Sequence, residues 1–272
     1  MLIVDSQIHL WRNAAAPSHH RSEPYLAEQA ITAMDAAGIA ASINCPAIWD
    51  DDANDYADEV ATAHPDRFAT MGWFPLDRGA DPAFVDEFLR RPGMAGLRFV
   101  VMRPEDCAAF QSGPLESIWS VAERLGKPIA LMVPKPLLPV VGELAARHPG
   151  IRFLIDHLAV GPFEKLPAAM GHVDELLALA RHRNVAMKAS ATPSMSNMVY
   201  PYQDTIDCLE PIFDAFGPDR MFWGTDITRM TISLRDCVEV FTRNIPWLKG
   251  ADLERVMGSA VCDWIGWRPT SS

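Results

Sequence analysis

Leu2-Ile3-Val4-Asp5-Ser6-Gln7-Ile8-His9 is an apolar run of strand length that turns polar at its end, and Leu26 to Ala37 beyond it carries apolar residues at helical spacing. The same alternation recurs along the chain. Strand-length runs follow at Ala41 to Pro46, Phe68 to Phe74, Gly96 to Val101, Pro128 to Val133, Arg152 to His157, Val185 to Ser190 and Met221 to Thr225. Amphipathic helical patterns separate them at Asp55 to Ala63, Pro82 to Arg90, Leu115 to Leu125, Leu137 to Arg147, Val173 to Arg181 and Tyr202 to Phe216, and Leu234 to Asn244 would be the eighth helix. Gly38, Gly126, Gly150 and Gly217 each stand between a helical pattern and the next strand, where a residue able to adopt φ > 0 closes a helix. Eight strand and helix pairs in register predict a single-domain α/β protein over residues 1–272, a (β/α)8 TIM barrel rather than an open doubly wound sheet. No G-x-G-x-x-G follows the first strand to suggest a dinucleotide site.

Composition narrows the functional classes. A chain of 272 residues that is 49% hydrophobic can enclose one large core, and its formal net charge of −11 argues against non-specific attraction to nucleic acid. Its five cysteines, Cys45, Cys107, Cys208, Cys237 and Cys262, are scattered without a C-x-x-C pair, so neither a disulfide framework nor a zinc cluster is indicated. With no basic leader and no long apolar stretch in the sequence, the expectation is a soluble cytoplasmic protein that meets a small-molecule substrate and neither nucleic acid nor membrane. A homo-oligomer stays open.

In such a barrel, substrates bind at the C-terminal ends of the strands, so polar residues there are informative. Three ends stand out. The first strand finishes with Gln7 and His9, which period-2 alternation points to the same side, inward; the sixth finishes Ile155-Asp156-His157; the eighth finishes Gly224-Thr225-Asp226. Each alone has an ordinary structural reading, the histidines as packed core residues and Asp226 as a helix N-cap. Their joint placement on one rim points to a site. The polar stretch Asn13 to Glu23, with His19 and His20, reads as a loop on that same face.

These residues resemble the amidohydrolase superfamily, in the branch that includes 2-pyrone-4,6-dicarboxylate lactonase, sugar and muconolactone lactonases and aminocarboxymuconate semialdehyde decarboxylase. The carriers are Ile3 to Trp11, Gly96-Leu97-Arg98, Ile155 to Leu158, Val185 to Ser190 and Phe222 to Asp226, so the resemblance spans nearly the whole chain. It implies a hydrolase of the TIM-barrel type. Metal-dependent members hold their ion with His-x-His on the first strand, a histidine from the fifth and an aspartate from the eighth. Here Gln7 replaces the first histidine, and Ile129 to Val133 supplies no ligand. A neutral amide oxygen substitutes poorly for imidazole on zinc, and the lactonase of this branch is metal-independent, so no cofactor is expected. The alternative is a single zinc or manganese ion held by Gln7, His9, His157 and Asp226.

The resulting expectation is a metal-independent lactonase. Asp226 would be the base that activates water, with His9 and His157 polarising the carbonyl and Gln7 adding an amide donor. Arg98, Arg103, Lys188 and Arg229 could form a cationic pocket for a substrate carboxylate, or pair with nearby acids such as Glu105 or Asp106. Trp11, Trp49, Trp73, Phe74, Tyr200 and Tyr202 fall on rim segments where rings could sandwich a flat substrate; core packing is the default for Trp73 and Phe74, while Tyr200 and Tyr202 read as lid candidates. Cys45 reads as a small buried hydrophobe. Two alternatives stay open: a metal-dependent decarboxylase or amide/ester hydrolase of the same superfamily, and a barrel that binds a ligand without turnover.

Overall fold

The computed structural model describes residues 1–78, 81–112 and 114–269. Strands β1 (Val4–Ile8), β2 (Ala41–Asn44), β3 (Phe68–Trp73), β4 (Met94–Val100), β5 (Ile129–Met132), β6 (Phe153–Ile155), β7 (Val185–Ser190) and β8 (Met221–Gly224) form one eight-stranded sheet in sequential order. Every consecutive pair is parallel. Helices α1 (Ala27–Ala37), α2 (Ala53–Ala63), α3 (Pro82–Leu89), α4 (Pro104–Ser112), α5 (Glu116–Leu125), α6 (Leu138–Arg147), α7 (Val173–Leu179), α8 (Gln203–Phe216) and α9 (Leu234–Asn244) connect and cover them. This is the (β/α)8 barrel that the alternation predicted, with strand ends shifted by up to two residues.

Two parts of it were not read from the sequence. Helix α4 buries only Phe110 and so lacks an apolar stripe. Beyond α9 lie α10 (Gly250–Glu254), a π-helical turn (Arg255–Ser259) and α11 (Ala260–Ile265). That turn presses Gly258 against β1, where a Cβ would stand 2.6 Å from the Leu2 carbonyl oxygen, so only glycine fits. Gly38 and Gly126 close α1 and α5 in the left-handed conformation, with φ of 76° and 64°. Gly150 does not have a positive φ: α6 ends at His148, and the Gly150 N–H instead binds the Glu123 carboxylate. No helix among the described residues is long and apolar enough to cross a membrane.

The barrel interior is layered. Val4, Ala41, Ala69, Ala130, Leu154, Ala186 and Phe222 form a small apolar cluster, while the larger core lies between the sheet and its helices. Polar side chains fill the barrel further along the strands: Gln7, Arg98, Asp156 and Lys188 are all essentially inaccessible. Val4 belongs to the inner cluster, yet Gln7, three residues on, also reaches into the barrel against Lys188. Strict alternation would place them on opposite faces; a register irregularity between Asp5 and Ile8 reconciles them.

The same irregularity frees Asp5 to close the seam between β8 and β1. Its Oδ1 accepts the N–H groups of Gln7 (3.0 Å) and Thr225 (2.8 Å), and its Oδ2 accepts the Thr225 hydroxyl. The Asp226 N–H donates to the Gln7 carbonyl at 2.8 Å, completing the join. Burial pushes the Asp5 carboxyl up to about 7, against those donors, which favour the ionised form. Replacing Asp5 by Ala strands buried N–H groups and should cost about 2–4 kcal/mol in urea unfolding. Asp5→Asn keeps the acceptor and should cost far less. Because burial raises the Asp5 carboxyl from its ordinary value of 3.8 to about 7, wild-type stability should decline as pH rises from about 4 to 7, a slope that Asp5→Asn removes. An alanine variant as stable as wild type would show that the seam holds without this carboxylate.

Candidate active site

Past the ends of β6, β7 and β8 the backbone turns through residues in the left-handed region: His157, Leu158 and Ala159 (φ 52°, 55° and 56°), Ala191 (57°) and Asp226 (51°). None is glycine, so each conformation is strained by about 1–2 kcal/mol and must be held by its surroundings. At His157 to Ala159 one support is His172, whose Nε2–H donates to the Leu158 carbonyl at 2.8 Å. The turns bring His157 and Asp226 back over the barrel mouth beside His9.

Asp226 is the centre of this group, 1% exposed. His9 Nε2 lies 3.3 Å from its Oδ1, His157 Nε2 lies 3.8 Å from its Oδ2, and an Arg229 guanidinium nitrogen lies 3.5 Å from Oδ2. Burial by itself would raise the Asp226 carboxyl, but the hydrogen bond and charge of His9, then the charge of Arg229, hold it well below the ordinary carboxylate range. His157 is pushed down to about 4 by burial, so it is neutral at physiological pH. The far side of each ring is also fixed. His9 Nδ1 binds the Cys45 carbonyl (2.5 Å), which can only accept, so the Nδ1 proton resides there. His157 Nδ1 binds the Ser190 hydroxyl at 2.9 Å; with a carboxylate facing Nε2, the favourable arrangement has Ser190 donating to Nδ1 and the proton on Nε2.

A second charged group lies deeper in the barrel. Asp156 accepts from Arg98 Nε at 2.7 Å and pairs with Lys188 Nζ at 3.0 Å, all three side chains being almost fully buried. Burial alone would raise Asp156; Lys188 and Arg98 hold it far below its ordinary value. Lys188 also donates to Gln7 Oε1 at 2.9 Å, and Cys45 Sγ sits 3.1 Å from the same oxygen and 3.7 Å from the ammonium. Cys45 is buried, yet its surroundings are polar.

The stretch Asn13 to Glu23 packs against the group around Asp226. His20 donates or accepts at Thr228 Oγ1 (2.8 Å), the Arg21 N–H binds the Thr228 carbonyl (2.6 Å), and the His20 ring packs edge-on against His9 and beside Trp49. His19 meets the exposed Phe163 from the opposite loop. Burial pushes His20 down to about 3.

The structure therefore brings Gln7, His9, His157, Asp226, Arg229, Lys188 and Arg98 together and leaves others apart. Arg103 is exposed and pairs with Asp106 and Glu105, whereas Arg98 pairs with neither of those acids. Trp73 lines a groove of about 730 Å³ with Met102, Arg103 and Asp106, next to one of about 230 Å³ that reaches Asp156; Asp226 lines neither. Tyr200 faces outward and accepts from Asn244 on α9, in edge contact with Tyr202. Ser190, Asp156 as a charge partner and the Cys45 carbonyl were missed by sequence reasoning. The run Ile155-Asp156-His157 was the available signal, since an acid inside a strand end of a barrel holding Arg98 and Lys188 needs a cation.

The residues that could hold a divalent ion are Gln7, His9, His157 and Asp226. Two of the four candidate ligands already face fixed positive charges, Gln7 Oε1 the Lys188 ammonium and Asp226 Oδ2 the Arg229 guanidinium. Among the described residues no group of three His, Cys, Asp or Glu side chains is arranged to hold a metal.

Comparison with known proteins places this geometry. The family described as amidohydrolase matches residues 4–270. An L-fucono-1,5-lactonase of Burkholderia ambifaria is 29% identical over 165 residues, which are 58% of this chain and 54% of that protein, so the match spans about half of the relative's length. A Burkholderia multivorans amidohydrolase crystallised with zinc bound superposes with a TM-score of 0.84 at 20% identity, over 98% of this chain and 100% of that one. A crystal structure from Acinetobacter baumannii, named as a probable 2-pyrone-4,6-dicarboxylic acid hydrolase and holding citric acid, superposes at 0.74 and 14% identity over 98% of this chain and 100% of that one. At those identities the two structures establish a shared fold.

Asp156→Asn removes the one carboxylate between Arg98 and Lys188 and should destabilise the fold by about 3–5 kcal/mol. Since the folded pKa of Asp156 is depressed, its contribution is present above the ordinary carboxylate value and lost as pH falls below it. Urea unfolding at neutral pH measures the difference; a change under about 1 kcal/mol would mean that the cations find other partners.

Proposed function

The chain belongs to the amidohydrolase family, and on that footing we propose that it is a metal-independent lactonase, opening a small cyclic ester with a water molecule activated by Asp226. One observation carries the reading: a buried carboxylate held ionised, with His9 Nε2 against one oxygen and His157 Nε2 near the other. The water proton passes to Asp226 as its oxygen bonds to the carbonyl carbon. The ring C–O bond then breaks, and Asp226 returns the proton to the departing alkoxide, an easier leaving group than an amide nitrogen. A base held at so low a pKa is always ionised but weak, so much of the acceleration must come from donors to the oxyanion. His157, neutral with its proton on Nε2, is one such donor.

Charge pairing favours a neutral substrate. Arg98 and Lys188 share Asp156, Arg103 faces Asp106, and Arg229 faces Asp226, so three carboxylates already engage the four cations. The name of the Burkholderia ambifaria relative makes six-membered sugar lactones the first compounds to try. Substrate enters when the cover made by His19, His20 and Phe163 moves aside, and closure of that cover keeps bulk water out of the site. The metal-dependent reading is not pursued, because the cations on Gln7 and Asp226 stand where an ion would need free donors.

Asp226→Asn should lower kcat by about 10³-fold or more while circular dichroism stays unchanged. A variant that keeps wild-type turnover would remove Asp226 from the mechanism. Treatment with a chelator should leave lactone hydrolysis intact; loss of activity restored by zinc or manganese would sink the metal-free reading. With Asp226 held low and His157 neutral down to about pH 4, kcat/KM should stay level across neutral pH and fall only in more acid solution. An acid limb near the ordinary histidine value, about 6.5, would assign the limiting proton to an unperturbed imidazole.

A further inference from the structure

We infer that Gln7 supplies the oxyanion donor of this site, and that Lys188 sets the orientation of its amide. The inference rests on the hydrolytic reading of Asp226 given above. Gln7 is inaccessible to solvent, and its Oε1 is saturated from one side by the Lys188 ammonium at 2.9 Å and the Cys45 thiol at 3.1 Å. Both neighbours offer protons, and an ammonium has no lone pair, so they face the amide oxygen and the NH2 turns the other way. That Nε2 has no hydrogen-bond partner among the described residues. A buried amide whose protons go unused is unfavourable, and proteins keep such a group where a ligand supplies the missing acceptor.

The position suits that acceptor. The Gln7 carbonyl receives the Asp226 N–H at 2.8 Å, which ties the backbone of Gln7 to that of the base, and His9 stands two residues further along the same chain end. An acyl carbon attacked by water held on Asp226 therefore develops its negative oxygen within a group that includes Gln7. Lys188 acts through Gln7 and does not touch substrate: its ammonium is occupied by Gln7, Asp156 and the Cys45 sulfur. Asp156 in turn holds Lys188 in place. Lys188 is a positioning residue and Gln7 the donor.

Gln7→Glu tests this directly, because the carboxylate keeps the acceptor that Lys188 needs and removes both amide protons. Gln7→Met removes the protons without adding charge. With a six-membered sugar lactone as substrate, both variants should lose about 10²–10³-fold in kcat with KM changed less than about threefold. Binding of a six-membered cyclic phosphonate, a mimic of the tetrahedral oxyanion, should weaken by a similar factor. Lys188→Met should lower kcat in the wild-type background, and in the Gln7→Met background it should have no further effect on kcat. A folded Gln7 variant with kcat within threefold of wild type overturns the donor role, and losses that multiply in the double variant overturn the positioning role. If one Gln7 variant fails to fold, the other decides. A wild-type protein that turns over no lactone would instead sink the lactonase reading, which separates the two failures.

Discussion

A backbone hydrogen bond from the Asp226 N–H to the Gln7 carbonyl helps join the last strand of the barrel to the first, and the site depends on that seam. Side chains alternate along a strand with a period of two, so a slip of one residue at this seam would turn Gln7 and His9, or their partner Asp226, out of the mouth. Asp5 guards against that slip by spending its carboxylate on the N–H groups of Gln7 and Thr225. The same residue pair that closes the barrel thus sets Asp226 beside the His9 imidazole.

Burying this much charge is tolerated because the charges are arranged as pairs. Arg98 and Lys188 share Asp156, and Arg229 and His9 share Asp226. A buried pair contributes little net stability, since desolvation offsets the attraction, but breaking one leaves an uncompensated ion in a medium of low polarity. The arrangement therefore favours geometry over stability. It holds Asp226 ionised and Gln7 in one orientation, while lowering the appeal of the site to any further cation.

The strand exits show the same trade. Three neighbouring strands leave the barrel through left-handed residues that are not glycine, and those turns aim His157 and Asp226 across the mouth. Above them the cover of His19, His20 and Phe163 rests on ring contacts and on two hydrogen bonds to Thr228. Such a cover has few contacts to break, whereas beneath it His9 is tied to the Cys45 carbonyl and His157 to the Ser190 hydroxyl. Strand ends carry the two histidines and the carboxylate, and a lightly held loop lies over them.

The eight strands were readable because each is a local apolar run, and most of the helices because their stripes repeat at helical spacing; α4 escaped for want of a stripe, having only Phe110 to bury. His9, His157 and Asp226 drew notice as polar residues ending apolar runs, a pattern visible without any knowledge of the fold. Their partners were invisible for a different reason. Arg98 and Asp156 stand 58 residues apart, Lys188 and Gln7 181 apart, and nothing in either neighbourhood names the other. The sequence left open whether these cations receive a substrate or pair with nearby acids; Arg103 meets Asp106 and Glu105, whereas Arg98 and Lys188 meet an acid that no local reading names. The sequence by itself determined the barrel, its strand order and which residues reach its rim, since period and polarity are local properties. Only the tertiary structure decided the charge pairing, the protonated face of each imidazole and the direction of the Gln7 amide, because those depend on which strands close against one another.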